Sequence, residues 1–294
     1  MSKKTLFIWA CDYSENTGEG KLARIFIKNF NLKKKYYLKF NQKKTSSFKY
    51  ISTIFGILFC WQNYLNNKKV CYLNYLPLWN FLIFMLLPPK TILGPITGGA
   101  NFSKSNTFNF HLRKNIFPIF YKISEFFLYQ RSTNITFSTN LLKKYLSKKT
   151  IKKGKFNFIL KSFKLEKKKS KKIDFLIYYR KHKNKETFFP TNFIRELSLR
   201  KFSISVIGDK LNIPNVKNYG RISNKKVYKL QSISKYTVAS GENLYSFFII
   251  ECLSNNVQVL LDSNYKKKIV FFKKQFIKIN YGSLNDLKKL RKIK

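Results

Sequence analysis

The sequence predicts an α/β protein built from two parallel-sheet halves, each with helices on both faces of its sheet. Two observations carry this. Short apolar runs alternate with segments of helical period through the first 160 residues, and the same alternation resumes after residue 172. Between them, "KSFKLEKKKSKK" (161–172) carries seven lysines and few apolar side chains, which reads as a solvated linker. The expected division is 1–160, a linker at 161–172, a second domain at 173–282 and a basic C-terminal helix at 283–294.

The elements follow in order. "TLFIWAC" is a short buried strand leading into glycines, and "GKLARIFIKNF" places Leu22, Ile25, Phe26 and Phe30 at helical spacing. "YYLKF" reads as a strand, "FKYISTIFGILFCWQNYL" as a helix and "KVCYLNYLPL" as a strand. The helix "WNFLIFMLL" and the strand "KTILGPITGG" come next, then a helix over 112–130, the strand "NITFST" and the short helix "NLLKKYL". In the second half "IDFLIYY", "FSISVIG", "NVKNYG", "KYTVAS" and "VQVLLD" are strands. "PTNFIRELSLR", "SNKKVYKLQSIS" and "YSFFIIECLSN" are the helices between them.

Charge is the strongest compositional signal: 59 Lys plus Arg against 13 Asp plus Glu, a net +46, in a chain that is 44% apolar and 17% aromatic. So large an excess draws a protein to anionic lipid headgroups or nucleic acid at low salt. Codon-driven drift, which inflates Lys, Asn, Ile, Phe and Tyr together, explains its origin equally well. The four cysteines form no C-x-x-C pair and no secretory signal is present, so a reducing cytoplasm is the expected compartment. No run reaches the roughly 18 apolar residues of a membrane span. The nearest, "LPLWNFLIFMLLPP" (76–89), reads as a core helix, with a membrane-dipping segment as the alternative.

The stretch "SENTGEGKLA" (14–23) tests two nucleotide motifs. A P-loop ending at Gly20-Lys21 requires glycine at Glu15 and a hydroxyl at Leu22, so it fails twice. A dinucleotide fingerprint fits Gly18 and Gly20 but meets Ala23 in third place, and no acid occurs between Glu19 and Glu125. A glycine loop after the first strand of a parallel sheet still lies at the carboxyl edge, where anionic ligands bind.

Residues 238–262, "VASGENLYSFFIIECLSNNVQVLLD", resemble the donor-site signature of GT-B glycosyltransferases, most closely the large retaining group numbered four. The upstream segment "VIGDK…NVKNYGRISNKKVYKLQSIS" is similar to the strand, glycine turn and helix that precede that signature. "NTGEGKLA" and "ILGPITGG" are similar to its two cleft-facing glycine loops. The resemblance implies two Rossmann-like domains facing across a cleft, with the acceptor side in the first and the nucleotide-sugar site in the second. It implies a sugar transfer from a UDP- or GDP-sugar to a saccharide or lipid-linked acceptor in cell-surface polysaccharide or glycolipid synthesis. No cofactor is implied, and no metal.

By the same resemblance Glu251 holds the ribose hydroxyls. Glu242 precedes Glu251 by one residue more than the family's spacing, so the sugar contact falls on Glu242 or Asn243. Ser240, Gly241, Leu244 and Tyr245 complete the donor loop, and Gly18 and Gly20 approach the donor from the first half. The basic grip on the diphosphate follows the strand ending "YYRKHKNKE": Arg180 with Lys181, Lys183 or Lys185. Glu15, Glu19, Gly98, Gly99 and His111 are the acceptor-side candidates. No two acids are two residues apart, so the Asp-x-Asp metal motif of the other common transferase fold is absent. Cysteine usage and the basic charge together give the expected location as the cytoplasm, peripheral on the inner face of the plasma membrane. Two other readings remain: a non-catalytic RNA- or membrane-binding protein on a degenerate transferase fold, and an inverting fucosyltransferase-like enzyme of the same fold. No specific nucleic-acid module is present.

Overall fold

The computed structural model describes residues 4–41, 49–98, 111–131, 135–181, 189–239, 244–265, 269 and 271–290. The chain divides into two compact units, Met1–Ser162 and Phe163–Lys294.

In the first unit β1 (Lys4–Trp9), β2 (Tyr36–Asn41), β3 (Lys69–Tyr72) and β4 (Ile92–Leu93) form a parallel sheet in the order β2-β1-β3-β4. A parallel bridge from Ile96 to Phe137 continues it toward β5 (Ile135–Thr136), which pairs with β6 (Gly154–Lys155). The helices are α1 (Gly18–Asn29), α2 (Leu32–Lys35), α3 (Lys49–Leu65), α4 (Phe81–Leu86), α5 (Phe117–Arg131) and α6 (Lys148–Lys153). From β1 the chain steps one way to β2 through α1, then back across β1 to β3 through α3. Right-handed crossovers therefore put α1 on one face of the sheet and α3, α4 and α5 on the other. Trp9, Tyr72, Phe84 and Phe137 are buried in this unit's core.

Several local outcomes have plain causes. The run 76–89 yields only a short helix, Phe81–Leu86, stopped by Pro88, with Ile83, Phe84 and Leu87 in the core. The helix expected over 112–130 begins as a π turn, Leu112–Ile116, and passes into the α-helix at Phe117, with Pro118, which has no N–H to donate, at that change of winding. The segment "NLLKKYL" winds as 3₁₀ over Leu141–Tyr145.

The second unit has β7 (Ile173–Tyr179), β8 (Ile204–Gly208), β9 (Val216–Asn218), β10 (Ser234–Val238), β11 (Gln258–Asp262) and β12 (Phe276–Ile279). All pair in parallel, in the order β12-β11-β10-β7-β8-β9, the doubly wound order of a dinucleotide-type domain. Its helices are α7 (Thr191–Leu199), α8 (Asn224–Ser232) and α9 (Phe247–Ser254). The central strand β7 is covered on both faces. Phe175 and Ile177 join Phe193, Ile194 and Leu197 of α7, while Leu176 joins Ile207 and Leu230 of α8.

Residues 163–172 form no helix or strand, and they are laid along the second unit. The Glu166 amide donates to Ser254 O at 2.8 Å, Lys172 N to Ile233 O at 2.7 Å, and Lys171 Nζ to Ser232 O and Asn255 O. At the other end, within the basic helix expected over 283–294, Leu284–Lys289 winds as a 3₁₀ helix. Three residues per turn put Leu287 and Leu290 on one side, and both enter the core. Strand β12 has no counterpart among the sequence expectations.

Candidate functional site

In a parallel sheet, neighbouring strands whose connections leave in opposite directions open a crevice at their carboxyl ends. In the second unit those strands are β7 and β10, so the residues after Tyr179 and after Val238 share one edge. Arg180 and Lys181 follow β7, and both are exposed. Lys183 and Lys185 lie outside the described residues.

Asp209, just beyond β8, organises this edge. Its amide donates to Tyr179 O at 2.9 Å, its Oδ2 accepts the Lys181 amide at 2.9 Å, and its Oδ1 accepts Arg221 Nη2 at 3.1 Å. The Lys181 amide first, and then the Arg221 guanidinium, hold its carboxyl below the usual carboxylate range, with Arg180 adding to the effect. Gly208 makes this tie possible. It sits at φ +101°, and a Cβ there would stand 2.2 Å from Tyr179 O. Two guanidinium groups, those of Arg221 and Arg180, thus act on one carboxylate that also holds the Lys181 amide, and the edge is cationic. Sequence reasoning missed Asp209 and Arg221, although the acid directly after "VIG" was the available signal.

After β10, Ser240, Gly241, Glu242 and Asn243 lie outside the described residues. Leu244 and Tyr245 are buried, and Tyr245 is engaged by the backbone: its hydroxyl donates to Phe271 O at 3.0 Å and accepts from Phe271 N at 2.9 Å. Ser246 caps α9 through the Ile249 amide. Glu251, one turn further on, is half-buried, and its Oε2 accepts from Gln231 Nε2 at 3.4 Å. Gln231 itself is wholly buried in α8 and also reaches Phe248 O at 3.4 Å.

In the first unit the equivalent crevice lies between β1 and β3. The loop after β1 is folded onto its own helix. Thr17 caps α1 through the Gly20 amide, and the Arg24 guanidinium donates to the carbonyls of Tyr13 and Ser14. Gly20 is needed because a Cβ would stand 2.1 Å from Ser14 O. Gly18 is the first residue of α1. Across the crevice Asn74 and Asp12 exchange hydrogen bonds, the Asp12 amide to Asn74 Oδ1 and Asn74 Nδ2 to Asp12 O.

Tyr75, at φ +57°, has its phenol pushed up to about 12 by burial and by the charges of Asp12, Glu19 and Cys11. Lys21 is drawn down to about 8 by burial and by Arg24. Glu19 is half-buried in this cluster, Glu15 is exposed, and Gly98 follows the Ile96–Thr97 bridge segment. His111 is exposed, and Gly99 lies outside the described residues. Cys60, Cys71 and Cys252 are buried free thiols whose pKa values burial pushes up, which makes them core residues and not nucleophiles.

No family model matches the chain, and no curated protein matches it. Solved structures do. A glycosyltransferase from Rickettsia africae matches at 12% identity over 98% of this chain and 87% of its own, with a TM-score of 0.50. The lipopolysaccharide outer core galactosyltransferase WaaB matches at 10% identity, 98% and 88% coverage and a TM-score of 0.52. The UDP-GlcNAc 2-epimerase of Methanocaldococcus jannaschii, solved with UDP-GlcNAc and UDP, matches at 9% identity, 100% and 94% coverage and a TM-score of 0.50. Such distant likeness speaks for architecture. The chain has the fold of these proteins, a mixed α/β protein of two Rossmann-like domains of the GT-B class.

Proposed function

We propose that the chain transfers a sugar from a nucleotide-sugar donor, UDP- or GDP-linked, to a saccharide or lipid-linked acceptor in cell-surface polysaccharide or glycolipid synthesis. The observation that carries this is the β7/β10 switch point. It sets the carboxyl ends of β7 and β10 side by side, with Arg180 and Lys181 after the first, and Asp209 ties the Lys181 amide to the Arg221 guanidinium at the same edge. A solved structure of the same fold holds UDP-GlcNAc and UDP.

The roles follow from the chemistry. Arg180, with Lys181, neutralises the diphosphate and stabilises the charge that grows on it as the sugar leaves. Glu251 accepts hydrogen bonds from both ribose hydroxyls, with Gln231 fixing its orientation. Glu242 or Asn243 takes the sugar ring. The first unit receives the acceptor beside Asp12, Glu19 and Lys21, and the +46 charge holds the protein peripherally at an anionic cytoplasmic membrane face. The arginine–lysine grip takes the place that a divalent metal fills in other transferases.

The test is incubation of the full chain with UDP-, GDP- and CMP-linked sugars, with and without a membrane lipid extract. Transfer releases the nucleotide and moves the sugar to an acceptor. An epimerase of the same fold leaves the sugar on its nucleotide with one carbon inverted. Failure of every donor to bind would end the proposal.

A further inference from the structure

The outer surface of the first unit is apolar where a helix layer normally meets water. Helix α3 has no charged residue between Lys49 and Lys68, and its faces are inverted. Its small or polar residues Ser52, Gly56, Cys60 and Asn63 point inward, with Gly56 set against Trp9 and Tyr72. Its large apolar residues point out: Ile51, Ile54, Phe55, Leu58 and Leu65, of which Ile54 and Leu58 are each 59% exposed and Leu65 72%. Core packing does not account for these residues.

Two neighbours extend the face. On α4 Leu82, Met85 and Leu86 are exposed, and on α5 Ile119, Phe126 and Tyr129. The helices are joined edge to edge. Trp61 Nε1 of α3 donates to Leu86 O at 2.6 Å, and Arg131 Nη2 of α5 donates to Met85 O at 2.9 Å. The result is one continuous apolar surface on one side of the sheet, well beyond a scatter of single exposed side chains.

Its surroundings carry one sign of charge. Between Glu19 and Glu166 the sole acid is Glu125, which is buried and bound to the Ser147 amide. Lys68 and Lys69 follow α3, Lys90 follows α4, and Lys122 lies on the exposed side of α5. Lys153 donates to Tyr129 O at 3.3 Å, which sets the exposed lysines of α6 beside the end of α5.

We propose that the α3–α4–α5 face docks onto a lipid bilayer with anionic headgroups. Apolar side chains enter the interface while the lysines around them meet the headgroups. A second copy of the chain would bring two cationic rims together with no acid to pair them. A nucleic acid would use the lysines and leave the isoleucines and leucines without a partner. Among the described residues no helix is long and apolar enough to cross a membrane, so the contact is a lateral one. The inference rests on the peripheral membrane placement proposed above and deepens it by assigning the contact to one surface; it does not rest on the sugar-transfer chemistry.

The test is sedimentation of the full chain with phosphatidylcholine vesicles, with and without phosphatidylglycerol, at low and high salt. The variants are Ile54→Ser/Phe55→Ser/Leu58→Ser, the single Leu58→Asp, and a control, Leu165→Ser/Leu199→Ser, at exposed sites of the second unit. The wild type is expected to prefer the anionic vesicles and to stay partly bound at high salt. The triple variant should partition about tenfold more weakly or worse, and Leu58→Asp should shift the same way. The control should match the wild type. Equal binding by the triple variant and the wild type would overturn the proposal. So would equal binding to both vesicle types, or a lipid-free dimer that the triple variant dissolves. Capture of RNA in place of vesicles would overturn it too. Nucleotide-sugar binding is measured on the same samples, so loss of either property is seen separately from the other.

Discussion

The first unit and the second unit share a parallel sheet and a crevice at its carboxyl edge, yet they fill that crevice differently. In the first, the loop after β1 is closed by its own helix, through Thr17, Gly20 and Arg24. In the second, the end of β7 is tied sideways to Asp209 through Tyr179 and the Lys181 amide, and Arg180 and Lys181 are exposed at the edge. Their outer surfaces differ as well. Among the described residues the exposed large apolar side chains of the second unit are scattered, as with Leu165, Tyr178, Leu199 and Tyr228, whereas α3, α4 and α5 gather theirs on one face. Two doubly wound sheets of different strand order thus present different surfaces, an edge with exposed Arg180 and Lys181 in the second unit and an apolar helix face in the first.

The comparison breaks first at Glu251. Glu251→Gln keeps an acceptor for Gln231, so the melting curve is expected to hold while transfer falls by about a hundredfold or more, the loss of charged hydrogen bonds to a ribose. Unchanged turnover would remove the ribose role. Next, Arg180→Ala is expected to weaken donor binding by about tenfold, and Arg221→Ala by less, because Arg221 is already paired with Asp209. Titration of donor into each variant gives the order.

Two predictions sharpen the first unit's side. Gly20→Ala forces the Ser14 backbone away and is expected to cost about 1–3 kcal/mol in denaturant unfolding. The smaller effect concerns Glu125. Burial alone would raise its pKa, but hydrogen bonds from Ser147 and Thr150, with Lys122 nearby, bring it below the usual carboxylate value. A folded value below the unfolded one means stability that is present above the ordinary carboxylate range and is lost as pH falls through the folded value. Glu125→Gln should flatten that acid limb, which acid titration of the melting temperature reads directly.

Much of the second unit was legible because its signals are local. "IDFLIYY", "FSISVIG" and "VQVLLD" are apolar runs bounded by turns, and the acids of 238–262 stand out in so basic a chain. What escaped depends on contacts distant in sequence. The Asp209 tie joins residues 28 apart, and the Asp12–Asn74 exchange joins residues 62 apart. Strand β12 escaped because the "FIKI" alternation is too short and too close to lysines to separate from a charged loop. The inverted face of α3 was hidden for another reason. Its period declares a helix, but nothing in the pattern says which side meets the sheet.

The central claim is that the β7/β10 edge of the second unit binds a nucleoside diphosphate. Calorimetric titration of UDP, GDP and their sugar conjugates into the wild type, Arg180→Ala and Glu251→Gln tests it most directly. The account predicts saturable binding of at least one of these ligands to the wild type, weakened about tenfold or more in both variants. Absence of binding, or binding that ignores both substitutions, would contradict it.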